Sequence, residues 1–158
     1  MATHLGSVLM RGTVANVASL VALAACSKSE TGSALAGVNA VSHWAWGDAE
    51  VRRNGFSWKY TVIGALTNQA ASAFWAFCFE RLFASRHPQV AVPRLLGEAA
   101  VISALACAVD YGITPKRLTP GYELRLSRSS LFAVYIAFAG GLALGNVLLP
   151  AHEFGRVR

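Results

Sequence analysis

Seven polar side chains stand inside or beside stretches that are otherwise apolar: Arg11, Asn39, His43, Asn68, Glu80, Glu98 and Asp110. In apolar surroundings an isolated charge is costly, so such groups either neutralise one another or line a functional path. Glu80, Glu98 and Asn68 are the types that would line a route for a small solute, an ion or a proton. Asn39 and His43 are four residues apart and share one helical face. With Asp110 they would form a polar vestibule able to act on a lipid-like or quinone-like substrate. One histidine without a positioned partner makes no catalyst, so a satisfied interfacial histidine is the plainer reading of His43.

Other chemistry finds no pattern to carry it. Cys26, Cys78 and Cys107 have no C-x-x-C spacing and lie in apolar runs, which reads as buried free thiols. His4, His43, His87 and His152 are scattered, without the spacing of a metal or haem site. No phosphate loop, dinucleotide fingerprint, G-x-S-x-G or H-E-x-x-H occurs. The sequence therefore implies no cofactor and no metal.

The elements that hold these residues are apolar runs. Of 158 residues, 54% are hydrophobic and only 14% charged, where a soluble domain carries about 25% charged residues. That excludes an ordinary soluble globule, and it excludes disorder. The net charge is +6, with 14 Lys and Arg against 8 Asp and Glu. The bases sit singly or in pairs at the edges of apolar runs, with no basic helix face. This placement suits phospholipid headgroups and argues against nucleic acid.

Tyr60 to Phe79 is 20 residues without a charge, and Ser129 to Ala151 is 23. Each is long enough to cross a bilayer. Leu95 to Ile113 is 19 residues long, with Glu98 and Asp110 near its ends. Gly12 to Ser27 is uncharged between Arg11 and Lys28. Extended back to Leu5 it reads as a retained span that includes Arg11, in preference to a cleaved secretory signal or to a lipoprotein box, Leu23-Ala24-Ala25-Cys26, with Cys26 lipidated. Residues 32–47 read GSALAGVNAVSHWAWG. They are too short to span, so the expectation is a short interfacial or re-entrant helix near 33–46, with Leu35, Val38 and Val41 towards lipid and Trp44 and Trp46 at headgroup level. The predicted architecture is an all-α membrane helix bundle, one integral membrane domain over 1–158, with spans near 5–27, 60–83, 95–113 and 129–150.

Antiparallel spans fix depth. Arg11, Glu80 and Glu98 fall at one level on the side of the 80–94 turn, which predicts an Arg11–Glu80–Glu98 cluster with Arg81 or Arg94 as competing partners. A stabilising ion network is the plain reading, and an ion or proton pathway the alternative. On the other side Asp110 meets Lys59, Lys116 or Arg117, together with six of the eight Trp and Tyr residues. Small residues recur every fourth position: Gly64, Asn68, Ser72 and Ala76; Ala100, Ala104, Ala108 and Gly112; Ser129, Ala133, Ala137, Gly141 and Gly145. Such stripes predict close packing of helices within the bundle. Asn68 should hydrogen-bond a neighbouring helix. Six bases on the side of the termini against eight on the other lean towards both termini outside, a bias too small to set the orientation.

Three stretches, Asn39-Ala-Val-Ser-His-Trp-Ala-Trp-Gly47, Phe74-Trp-Ala-Phe-Cys-Phe-Glu-Arg81 and Asp110-Tyr-Gly-Ile-Thr-Pro-Lys-Arg-Leu-Thr-Pro-Gly121, together resemble small, uncharacterised four-span inner-membrane proteins of proteobacteria. The resemblance covers most of the chain. It implies a multi-pass protein of a bacterial inner membrane and supplies no activity and no catalytic residue. The leading expectation is a non-enzymatic bundle in the lipid bilayer that associates with itself or with a larger membrane complex. A transporter using Glu80, Glu98 and Asn68 comes second. A membrane enzyme acting on a lipid-like substrate at His43 comes third.

Overall fold

The computed structural model describes residues 2–47, 51–84 and 90–149, with the side chains of 2–4 left aside. The chain runs through α1 (Ala2–Thr31), two short helices α2 (Ala36–Val41) and α3 (His43–Trp46), α4 (Ile63–Phe79), α5 (Val92–Gly112) and α6 (Arg128–Leu148). Wider, π-helical turns extend α4 at both ends, over Trp58–Val62 and Glu80–Ala84. Two 3-10 turns, Lys116–Leu118 and Tyr122–Leu124, lie between α5 and α6. Four stretches are long and apolar enough to cross a membrane: Leu5–Thr31, Trp58–Ala84, Val92–Gly112 and Arg128–Leu148. At 21 residues the shortest is about 31 Å of helix, the thickness of a bilayer's hydrocarbon core.

Local chemistry sets the helix ends. Ser57 accepts from the Tyr60 amide and Ser127 from the Ser130 amide, each relieving an orphan donor of a first turn. Pro93 occupies the first turn of α5, where a missing N–H costs nothing. Gly32, at φ 78°, follows Thr31 and takes the left-handed conformation that ends α1.

The four long helices form a ring in the order α4, α1, α6, α5. The α1–α6 pairing is the tightest and α4–α5 the loosest. Leu5, Val21, Leu66, Phe74, Val101, Phe132 and Leu144 point outward, as lipid contact requires, while Phe79, Leu95, Ile102, Phe138 and Leu142 fill one end of the core. Glycine lets α1 touch its neighbours. A Cβ at Gly12 would stand 2.8 Å from Ala73 Cα, and one at Gly141 would stand 2.6 Å from Ala15 Cα. Gly145 lies against Arg11. The lower part of the α6 stripe and the α4 stripe thus pack inward. The α5 stripe does not: Ala100, Ala104, Ala108 and Gly112 are all exposed. Gly141→Leu is therefore expected to lower stability by about 1–3 kcal/mol through overpacking. Gly112→Ala, whose new methyl would meet nothing within 4 Å, should leave the melting temperature in detergent unchanged.

Residues 32–47, 51–57 and 113–127 close one end of the ring as a cap. Every residue of α2 is buried. Its backbone rests on α4, where a Cβ at Gly64 would run into the Val38 carbonyl oxygen. Of the two arrangements foreseen for this segment, the folded-back one occurs, and Val38 and Val41 face the core rather than lipid. The reason is local. Gly64 offers a flat helix surface, and Asn39 finds partners inside the cap that lipid cannot supply.

Candidate functional site

Arg11 is the largest fully buried side chain, and Glu80 is 4% exposed. Their ion pair joins α1 to the wide turn that follows α4. Arg11 Nη2 also donates to the Leu149 carbonyl at 2.6 Å. Glu98 stays out of this pair. Its Oε1 accepts from Arg94 Nε at 2.9 Å. Arg94 lies one turn earlier on the same helix, so it reaches Glu98 without entering the core. The three-residue cluster expected from depth alone is thus two separate pairs, and Arg81 stacks over the Phe77 ring instead.

Asn68 reaches α1 halfway along the bundle. Its Nδ2 donates to Asn16 Oδ1 at 2.7 Å, Asn16 Nδ2 donates to Gln69 Oε1 at 2.7 Å, and Gln69 Nε2 donates to Thr13 Oγ1 at 3.2 Å. A chain of amides between helices contributes about 1 kcal/mol per bond. Asn16 went unremarked in the sequence. As the one amide in the run from Gly12 to Ser27, it was the available signal.

Asn39 and His43 are tied into the cap. Asn39 Nδ2 donates to the Arg53 and Gly55 carbonyls at 3.0 and 2.9 Å, and its Oδ1 accepts from Thr61 at 2.6 Å. His43 Nε2 sits 2.7 Å from the Thr119 carbonyl, so that nitrogen carries the proton, and Trp44 Nε1 donates to the same oxygen at 2.6 Å. Gly121, at φ 90°, makes this contact close, since a Cβ there would stand 2.7 Å from the His43 ring. No hydrogen bond joins Asn39 or His43 to Asp110, whose side-chain partner is Tyr135.

Asp110 instead turns inward, near the cap end of α5. Its Oδ2 accepts from the Tyr135 hydroxyl of α6 at 2.6 Å. The bases expected beside it are placed elsewhere. Lys59 lies 4.3 Å from the Trp46 ring centroid, and Lys116 and Arg117 are exposed. A tyrosine supplies a proton donor at that depth without drawing a cation into the bundle. Tyr111 stacks edge-on to Tyr135, with centroids 6.2 Å apart. Tyr122 is buried beside them, and burial holds its phenol well above the ordinary tyrosine value, so it stays neutral and able to donate.

Asp110 and Tyr122 form the floor of a crevice. Where α4 and α5 part, a cavity of about 660 Å³ opens between Asn68, Phe74 and Trp75 of α4, Asp110 of α5, and Trp44 and Tyr122 of the cap. A smaller pocket of about 50 Å³ continues it inward between Asn68, Ser72, Asp110, Tyr122 and Tyr135. The rim is apolar and open: Phe74 is 57% and Ile113 78% exposed. Among the described residues no three His, Cys, Asp or Glu side chains are grouped to hold a metal ion. Sequence reasoning singled out Asn68 and Asp110 but not Trp75, Tyr122 and Tyr135, because aromatic residues in or near apolar runs read as core or as interface anchors. Arg86, Arg156 and Arg158, counted for orientation, lie outside the described residues.

Four apolar crossings with a laterally open crevice define a multi-pass membrane protein. The chain matches no family model, no curated protein and no solved structure.

Proposed function

We propose that this protein is a non-enzymatic membrane bundle whose working part is the crevice between α4 and α5, where it holds a small molecule dissolved in the bilayer. One observation carries the reading: a cavity of about 660 Å³ runs from a lipid-facing apolar rim to a polar floor. Its size and its mix of apolar walls with a few convergent polar groups are those of ligand sites. The transporter reading through Glu80 and Glu98 draws less support, since each carboxylate is held by an arginine. So does the enzyme reading at His43, whose ring is held on a backbone carbonyl and does not line the crevice. The resemblance to four-span proteobacterial proteins adds a location to the proposal, the cytoplasmic membrane of a bacterium.

Two measurements test the reading. Calorimetric titration of the detergent-purified protein with lipophilic aromatic probes should show saturable binding of at least one. Ala71→Phe, which fills the crevice wall, should abolish it. No saturable binding, or binding unmoved by Ala71→Phe, would remove the proposal. In liposomes, ion and proton flux should equal that of protein-free vesicles. Glu98→Gln should leave it there and lower only the melting temperature. Flux well above background that Glu98→Gln abolishes would restore the transporter.

A further inference from the structure

We infer that the ligand of this crevice is a lipophilic cation, an aromatic or quaternary onium compound, with Asp110 as its counter-ion. The inference rests on the crevice being a binding site and names the class of molecule it takes. Asp110 Oδ2 is occupied by the Tyr135 hydroxyl, which leaves Oδ1 without a partner among the described residues. No lysine or arginine of those residues reaches the carboxylate. Arg11 and Arg94 are held by glutamates, Lys59 lies over an indole, and Arg125 donates to the Val51 carbonyl and to Asn54.

A carboxylate at membrane depth marks a functional site, and its natural complement here is a positive charge brought in from outside. The walls suit such a guest. Trp44, Phe74, Trp75 and Tyr122 line the crevice, and the negative quadrupole of an aromatic ring attracts a cation. The open rim admits a molecule already dissolved in lipid. An anionic headgroup would meet the Asp110 carboxylate, and a neutral guest would leave that carboxylate uncompensated.

Tetraphenylphosphonium and tetraphenylborate have the same shape and opposite charge, so they isolate this term. In calorimetric titrations of the native protein in detergent, with neutral N-phenylnaphthylamine as third probe, the phosphonium should bind saturably. It should bind at least roughly tenfold more tightly than the borate or the neutral probe. Asp110→Asn should erase that preference, and Asp110→Glu should retain part of it. If the borate or the neutral probe binds as tightly, or Asp110→Asn binds phosphonium like the native protein, the cation assignment falls while the crevice stands as a site. If no probe saturates, both readings fall. Because the charge comparison is made on the native chain, it decides the matter even where a variant does not fold.

Discussion

Arg11→Met is expected to destabilise the bundle by about 3–5 kcal/mol, the cost of removing one member of a buried ion pair. Glu80 is 4% exposed and has α1 on one side and apolar core on the other. Deprived of the guanidinium, its carboxylate must remain charged in the interior or take up a proton. Glu80→Leu alone should cost a similar amount, because Arg11 would keep only the Leu149 carbonyl. The double variant Arg11→Met, Glu80→Leu should recover most of the loss, since packed apolar side chains of similar volume replace a buried pair at little cost. Denaturant titration in mixed lipid–detergent micelles would measure the coupling. Losses that simply add would show that the two charges are not joined.

Gly64→Val is expected to unseat the cap. The added side chain would collide with the Val38 carbonyl, and α2 has no room to retreat, because all its residues are buried. Overpacking of this kind costs about 1–3 kcal/mol. The loss should be local: Cys26, packed beside Val38 and Val41 in the same cluster, should become more reactive to a thiol reagent, while Cys107 on the far helix should not. A fall in melting temperature without a change at Cys26 would mean that the whole bundle loosens together. Gly64→Ala offers a milder version of the same collision.

The long helices were legible because a bilayer demands uncharged length, and 20 or more apolar residues in a row leave few alternatives. Depth was legible too. Helix ends set the level of a residue, which is why Arg11 and Glu80 could be placed side by side. Azimuth was not. Level put Glu98 with Arg11 and left Arg94, one turn earlier on the same helix, as a competing partner; the rotation of α5 decides between them in favour of Arg94. The same gap turned the α5 stripe inward on paper, whereas Ala100, Ala104 and Ala108 face outward. The sequence marked Asp110 as a charge needing a partner, but charge matching favours bases, and the partner is a phenol 25 residues further on. The crevice could not be read at all, because it is made where α4 and α5 part, and a gap has no residue pattern of its own.

Glu30, at the end of α1, accepts from the amide and hydroxyl of Ser127 and from the hydroxyl of Ser130, about a hundred positions later at the start of α6. During synthesis these two crossings leave the ribosome far apart in time. Glu30 has no serines to bind, and the tightest seam among the described helices stays open, until the fourth crossing arrives. Insertion intermediates holding three crossings should therefore expose the α1 seam.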